Sequence, residues 1–197
     1  MKTPYKLLPF LLLVITLLSN DAFAQKVLIE TNEGNIQIEL YPKKAPVSCK
    51  NFLQYVNEKK YDGALFYRVV RMDNQPDKKV KIEVIQGGLK DDSTKSFPAI
   101  VHETTKMTGI KHVDGTLSMA RNGPGTASSE FFICINDQPE LDFGGNRNPD
   151  GQGFAAFGKV ISGMNVVKSI QNQKTGSGDS AQTLTLPVKI KRMSVVD

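Results

Sequence analysis

An arginine inside an apolar run is the first residue whose type and position could carry chemistry. Arg68 lies in residues 64–70, a predicted β-strand, close to Phe66 and Val70. Side chains two positions apart in a strand point to the same face, which would place Arg68 beside hydrophobic side chains on one wall. The alternative is an outward-facing arginine in a salt bridge, and this run alone does not decide between them.

Two further segments combine polar groups with tight turns. Residues 80–86 are predicted to form the strand that returns from 64–70, and the pair Gly-Gly ends it directly after Gln86. Residues 121–130 form a loop of small residues between short predicted strands at 115–120 and 131–135. Read alone, this second segment is a turn between two core strands.

Several other kinds of chemistry lack the residues they need. The two histidines, His102 and His112, have no motif around them that predicts a Ser-His-Asp hydrolase. No Cys/His cluster has the spacing of a zinc site. Residues 146–151 resemble the start of a calcium-binding loop, but Phe157 stands where that loop requires a bidentate glutamate. The sequence therefore predicts no metal and no cofactor.

Taken together, the unusual segments resemble the cyclophilin family. Five family motifs occur in order: Phe-Tyr-Arg-Val-Val at 66–70, Gln-Gly-Gly at 86–88, Gly-Thr-Leu-Ser-Met-Ala at 115–120, Ser-Glu-Phe-Phe-Ile at 129–133 and Phe-Gly-Lys-Val at 157–160. The resemblance covers essentially the whole chain after residue 24. It implies a mainly β fold, a closed eight-stranded antiparallel barrel capped by two α-helices, with proline bound on the outer surface.

The resemblance also implies an activity, peptidyl-prolyl cis-trans isomerisation of X-Pro bonds during protein folding. It makes Arg68 the catalytic residue. The substrate-binding residues that it implies are Phe66, Val84, Gln86, Ala120, Asn122, Phe132, Leu141 and Phe154. The alternative is a proline-peptide binding module or chaperone with little turnover, which would use the same pocket. Arg68 favours the enzyme, because simple binding needs the pocket more than the charge.

This sequence departs from the family pattern at four places. Tyr67 stands where a histidine is frequent, Phe154 replaces a histidine of the pocket wall, and Glu140 lies near the place of a tryptophan that contacts cyclosporin. The hairpin at 71–81 is longer, so the pocket phenylalanine of the family aligns near Glu83. We expect these changes to affect inhibitor sensitivity more than activity.

The remaining elements must position these residues. Alternation of apolar and polar residues predicts strands at 26–31, 35–40, 154–160 and 183–194, and apolar spacing of three and four predicts helices at 46–59 and 162–172. Hydrophobic residues make up 40% of the chain, enough for a substantial core. No internal repeat or linker divides the sequence. We therefore expect one domain over residues 25–197.

The first 24 residues have the pattern of a secretory signal peptide. Lys2 and Lys6 precede an almost wholly apolar run at 7–18, and Ala-Phe-Ala at 22–24 is the small-x-small pattern of a cleavage site. An uncleaved membrane anchor is the alternative, but the run is short for a span of roughly 20 residues. We expect cleavage after Ala24, no stable membrane insertion of the mature chain, and export to a periplasm or to the medium.

Charge and cysteine content limit the partners and the covalent links. The formal charge of +5 is mild and the lysines are scattered, so no nucleic-acid binding is expected. Cys49 falls on the apolar side of a predicted helix and Cys134 inside a hydrophobic strand, which favours two buried thiols over a disulfide. The family resemblance implies proline-containing polypeptides as partners, and we expect a monomer.

Overall fold

The chain folds into a closed antiparallel β-barrel, as the sequence predicts. A computed structural model describes residues 25–90, 92 and 94–197. The eight strands are β1 Gln25–Thr31, β2 Asn35–Leu40, β3 Leu65–Val70, β4 Val84–Gly88, β5 Thr116–Met119, β6 Phe131–Cys134, β7 Ala155–Ser162 and β8 Thr183–Val196. Around the barrel they follow the order β1-β2-β7-β5-β6-β4-β3-β8. The expected signal peptide at 1–24 lies outside the described residues.

Three α-helices accompany the barrel in the part of the chain that the structure describes. They are α1 Pro46–Asn57, α2 Thr105–Thr108 and α3 Met164–Gln171, and two short 3-10 turns lie at Pro139–Leu141 and Gly178–Ser180. Helices α1 and α3 are the two predicted from the sequence, whereas α2 is a single turn inside the long irregular segment between β4 and β5. Among the residues described, no helix is long and apolar enough to cross a membrane.

Helix α1 is fixed to the barrel at its start and along its apolar face. The carboxylate of Glu103 accepts hydrogen bonds from the backbone N–H groups of Val47 and Ser48, at 3.0 and 2.7 Å, which satisfies donors that a helix start leaves unpaired. Phe52 packs into the barrel against Phe131 and Phe157, with ring centroids 5.5 and 5.3 Å away. This aromatic contact ties the helix to strands β6 and β7.

The two cysteines are free and buried, which confirms the prediction of thiols. Cys49 of α1 donates from Sγ to the backbone carbonyl of Phe157, at 3.4 Å. Cys134 packs in a separate apolar cluster on the outside of the barrel wall. Burial raises the pKa of both thiols, that of Cys49 to about 12. Neither thiol is therefore reactive in the folded protein.

A β-bulge in β3 places the side chains of Phe66 and Arg68 on opposite faces of the strand. Phe66 pairs with Gly87 and Arg68 with Gln86, so Tyr67 is an extra residue opposite a single residue of β4. Phe66 therefore points into the barrel core, while Arg68 lies on the outside. The prediction that Phe66 and Arg68 share a face was wrong, because simple two-residue alternation does not include the bulge.

A second, smaller apolar cluster lies on the outer face of the barrel wall. Its buried members are Val70, Ile82, Val84, Phe132, Cys134 and Leu141, and Ala120 and Phe154 pack against it. Strands β4 and β6 alternate between the two clusters, since Ile85 and Ile133 face the inner core while Val84 and Phe132 face outward. The wall of the barrel thus carries apolar side chains on both faces.

A buried histidine packs against this outer cluster. His112, 1% exposed, stacks on Phe132 at 6.0 Å between ring centroids. Its Nδ1 lies 2.9 Å from Oδ1 of Asp142 and its Nε2 lies 3.0 Å from Oγ of Ser118. Because a carboxylate only accepts, Nδ1–H donates to Asp142 and Nε2 accepts from the Ser118 hydroxyl. Burial lowers the pKa of His112 in spite of the nearby Asp142, so the ring is neutral at pH 7.

We predict that His112 makes the protein less stable in mild acid. Its pKa is lower in the folded than in the unfolded chain, so below the unfolded value of about 6.5 the unfolded chain binds a proton that the folded one does not. The free energy of unfolding should therefore decrease as the pH falls from about 7.5 through 6.5. In His112→Gln this decrease should be smaller, although the variant is less stable at every pH.

Urea unfolding of both proteins at a series of pH values measures the difference. His102, whose pKa is also lowered by burial, remains in both proteins and contributes the same residual slope. Equal pH dependence in the two proteins would show that His112 is not a buried neutral histidine.

Candidate active site

A groove of about 700 Å³ opens over the outer apolar cluster. Among the residues that line it are Arg68, Val84, Gln86, Ala120, Asn122, Phe132, Leu141 and Phe154, which the sequence assigned to the site. Phe66, also assigned to it, does not reach the groove, because the bulge at Tyr67 turns it into the barrel core. Strands β3, β4 and β6 and the loops that follow β5 and β6 thus bring nearly the whole predicted set together.

The floor of the groove is apolar and shaped by two aromatic rings. Phe132 and Phe154 meet edge to face, with centroids 5.3 Å apart and an angle of 88° between the rings. Val84 and Leu141 complete the walls. The wall also includes Ile82, which the sequence analysis missed although it alternates with Val84. Such a pocket can hold a proline ring by burying its apolar surface.

Glu83 does not take part in this pocket. It does not line the groove, and its carboxylate accepts a hydrogen bond from Nδ2 of Asn136, at 2.8 Å. Glu140 is likewise absent from the groove lining, and its Oε2 accepts from the backbone and side-chain nitrogens of Asn146. Neither acidic residue therefore brings its charge to the pocket.

Two glutamines hold the guanidinium of Arg68 at the edge of the pocket. Nη1 donates to Oε1 of Gln86 at 2.7 Å, while Nη2 and Nε donate to Oε1 of Gln182 at 2.6 and 3.1 Å. Gln182 in turn donates from Nε2 to the backbone carbonyl of Asn74, at 3.2 Å. Burial lowers the pKa of Arg68, but an arginine keeps its proton in a protein. Its charge is thus oriented by neutral groups.

Gln182 is a site residue that sequence reasoning missed. It lies 114 positions from Arg68, between the 3-10 turn Gly178–Ser180 and strand β8. The local sequence Ala-Gln-Thr at 181–183 has no pattern that distinguishes Gln182 from an ordinary loop residue. Only the pairing of β8 with β3, which sets Thr183 opposite Arg68, brings it to the guanidinium.

A tyrosine and a glutamate extend this hydrogen-bonded chain along the groove. Gln86 donates from Nε2 to the Tyr67 hydroxyl at 2.8 Å, and that hydroxyl donates to Oε2 of Glu130 at 2.5 Å. Burial raises the pKa of the Glu130 carboxyl. Gly88 makes room for this carboxylate, since a Cβ there would lie 2.6 Å from Oε1 of Glu130. A side chain at Gly88, the second glycine of the Gln-Gly-Gly motif, would therefore collide with this carboxylate.

The rim of the groove is formed by the loops after β5 and before β7. Asn122 is exposed, and its backbone N–H donates to Oγ1 of Thr126 at 3.1 Å, which shapes the turn. Arg121 binds both oxygens of Asp150, at 2.8 and 2.9 Å, and lies over the ring of Phe154. The hydrogen bond from Arg121 lowers the pKa of Asp150 to about 2. The charge of Arg121 is thus neutralised within the rim.

The geometry also bears on the chemistry that the sequence analysis set aside. Ser118, His112 and Asp142 do form a Ser-His-Asp arrangement, which no local motif predicted. The Ser118 side chain is 0% exposed, however, so no substrate carbonyl can reach it. The arrangement supports the fold and is not a nucleophilic site. In the part of the chain that the structure describes, no group of three or more His, Cys, Asp or Glu residues could hold a metal ion.

Comparisons with known proteins agree with this geometry. The family model "Cyclophilin type peptidyl-prolyl cis-trans isomerase/CLD" matches residues 26–195. A peptidyl-prolyl cis-trans isomerase of Acinetobacter baylyi is 37% identical over 177 residues, 88% of this chain and 87% of that protein. Peptidyl-prolyl cis-trans isomerase A of Dickeya dadantii is 34% identical over 193 residues, 93% of this chain and 95% of that protein.

A solved structure shows the same fold. The crystal structure of a cyclophilin type peptidyl-prolyl cis-trans isomerase of Cryptosporidium parvum superposes with a TM-score of 0.70 at 24% sequence identity. The match covers 89% of this chain and 99% of that one. The family model, the relatives and the closed barrel agree, and the chain belongs to the cyclophilin-type peptidyl-prolyl cis-trans isomerases.

Proposed function

We propose that the groove isomerises X-Pro bonds of polypeptides with Arg68 as its catalytic residue, in an exported, monomeric enzyme. One observation carries the assignment to Arg68. Its partly buried guanidinium is held by the neutral side chains of Gln86 and Gln182 beside an apolar pocket of the right kind for a proline ring. A positive charge that is fixed but not neutralised is available to a substrate.

The reaction needs such a charge because of the way in which the X-Pro bond rotates. Rotation removes the amide resonance, which accounts for a barrier of roughly 18–20 kcal/mol. In the twisted transition state the proline nitrogen is pyramidal and carries a lone pair. A hydrogen bond donated by Arg68 to that nitrogen stabilises the twisted state more than the planar one, which is the condition for catalysis. Fixed donors in a partly dry groove do this without reorganisation.

The other groove residues hold the two sides of the bond. The ring of the proline packs on Phe132 and Phe154, so the preceding carbonyl remains free to turn. Gln86 has one N–H left after its bond to Tyr67, because an amide nitrogen has two, and that N–H can bind the substrate backbone. The loop at Asn122 supplies the opposite rim. This mechanism requires no proton transfer, nucleophile or cofactor.

The rival function is a proline-peptide binding module with little turnover. It would need the apolar pocket but not a guanidinium oriented by three hydrogen bonds. Measured turnover separates the two, since a binding module would bind X-Pro peptides without accelerating their isomerisation.

We predict that Arg68→Ala lowers isomerisation without unfolding the protein. The lost hydrogen bond to a charged group is worth about 1.5–3 kcal/mol, which corresponds to a roughly ten- to hundred-fold lower kcat. KM should change less, because the interaction is made mainly in the transition state. Arg68→Lys should also be impaired, since one ammonium cannot reach both glutamines as the planar fork does.

The measurement is turnover of a short X-Pro peptide together with the thermal midpoint of each variant. Arg192→Ala is the matched control, because Arg192 is an exposed arginine that pairs with Glu30 on the outside of β8. Its turnover should equal that of the unmodified protein. Unchanged kcat in folded Arg68→Ala would remove Arg68 from the mechanism and favour the binding module.

We predict that Gln182 acts as a positioning residue, through Arg68. Gln182→Ala removes the acceptor for Nε and Nη2, so the guanidinium gains rotational freedom and kcat should fall several-fold while KM changes little. A double-mutant cycle tests whether the effect of Gln182→Ala on kcat depends on Arg68. In the Arg68→Ala background, Gln182→Ala should have no further effect on kcat. Additive losses would contradict a role that passes through Arg68.

The exported location rests on residues 1–24, whose basic start, apolar run and Ala-Phe-Ala ending support a cleaved signal peptide. The monomer is supported by the closed barrel, because closure leaves no open strand edge for pairing.

We predict that the signal peptide is removed and that the mature protein begins at Gln25. N-terminal sequencing of the protein recovered outside the cytoplasm measures this. A product that still begins at Met1 would refute cleavage.

A further inference from the structure

Arg147 lines the groove together with Arg68 and Arg121, and it has no role in the mechanism above. Arg147 lies in the loop between Leu141 and β7, and it is partly buried beside Asn148. Its Nη1 donates to Oε1 of Gln75 at 2.9 Å and to the carbonyl of Val80 at 2.6 Å. Both partners belong to the long hairpin at 71–81. This hairpin therefore holds the arginine against the groove.

The remaining donors of Arg147 are unoccupied. Within residues 25–90, 92 and 94–197, its Nε and Nη2 form no hydrogen bond, and these two nitrogens make one side of the guanidinium fork. Through Nε–H and Nη2–H, an arginine can bind both oxygens of one carboxylate. The bonds made by Nη1 fix the plane of the fork in advance, which reduces the entropy lost when a ligand binds.

Arg147 and Arg68 also lack an acidic partner. Among the described residues neither forms an ion pair, whereas Arg121 at the rim binds Asp150. Both guanidinium groups line the same groove, so their like charges repel each other. Burial, and after it the positive charge of Arg68, lowers the pKa of Arg147. Two partly desolvated like charges are costly unless a negative group joins them. The folded chain leaves that position to a ligand.

The acidic residue of the groove does not fill this position. Glu130 lies at the other end of the hydrogen-bonded chain that runs through Tyr67 and Gln86 to Arg68. Its two oxygens already accept from the Tyr67 hydroxyl and from the backbone N–H of Lys90. The groove is therefore polarised, with a bound carboxylate at one end and an unpaired guanidinium at the other.

We propose that Arg147 selects proline substrates with an aspartate or glutamate adjacent to the proline. With the proline ring on Phe132 and Arg68 at the rotating bond, the neighbouring carboxylate binds the free side of the Arg147 fork. This specificity rests on the proposed function of the groove. It also gives the long hairpin a role, because Gln75 and Val80 orient Arg147.

Matched peptides test the preference on the mature protein. One pair has glutamate or glutamine directly before the proline, and a second pair has the same exchange directly after it. The measured quantity is the ratio of kcat/KM for the acidic and the neutral peptide of each pair. A hydrogen bond between two charged groups exceeds one with a neutral acceptor by about 1 kcal/mol, so at one flank we expect a ratio of about five. The ratio should fall as salt is raised from about 50 to 500 mM.

Variants assign the preference to Arg147. In Arg147→Gln the ratio should fall to about one, since a neutral amide does not distinguish the two peptides. Arg147→Lys keeps the charge and should keep part of the preference. Lys79→Gln removes an exposed charge from the same hairpin, so it is the matched control and should leave the ratio unchanged. A ratio within one variant does not depend on any general loss of activity, and thermal midpoints confirm that each variant is folded.

Three results would overturn the proposal. They are a ratio of one at both flanks in the unmodified protein, a preference that survives in Arg147→Gln, and a preference lost equally in Lys79→Gln. The first does not depend on how well any variant folds. Failure of the proposed function would look different, since none of the four peptides would then be isomerised.

Discussion

The site depends on one local irregularity, the extra residue Tyr67 in strand β3. With two residues opposite Gln86, the strand changes face between Phe66 and Arg68. Phe66 remains in the inner core against Phe131, with centroids 5.7 Å apart, while Arg68 lies on the outside next to Tyr67. Without the bulge, a strand that buries Phe66 would also turn Arg68 inward and bury its charge among apolar side chains, which is prohibitively costly.

Once the arginine is outside, its usefulness depends on how it is held. Carboxylate partners would fix the guanidinium but would also neutralise it, as Asp150 neutralises Arg121 at the rim. Gln86 and Gln182 fix the same geometry with neutral oxygens, so the charge stays available to a substrate. The protein bears the cost of an unpaired, partly buried cation, and a closed barrel wall with apolar clusters on both faces supplies stability against that cost.

The sequence predicted what depends on periodicity and on ordered motifs. Alternation located β1, β2, β7 and β8, spacing located α1 and α3, and the motifs placed Arg68, Gln86 and Phe132 in one groove. The strand predicted at 80–86 instead begins at Val84 and includes Gly87 and Gly88, because the two glycines pair with β3. The sequence did not predict features that depend on strand register or on contacts between distant residues. The bulge is invisible to two-residue alternation, so Phe66 was assigned to the wrong face. Gln182 reaches Arg68 only through strand pairing across 114 positions, and nothing in its local sequence marks it.

The barrel wall and the loops above it differ in how strongly packing restricts their residues. The barrel wall restricts its residues from two sides, because each outward side chain alternates with one packed in the inner core. The hairpin at 71–81 and the loop that carries Arg147 lie outside the wall and hold each other through Gln75 and Val80. A substitution of Arg147 alters the charge at the groove and leaves the hydrogen bonds that hold Arg68 in place. The wall thus fixes the reaction, and the loops above it can adjust which polypeptides enter.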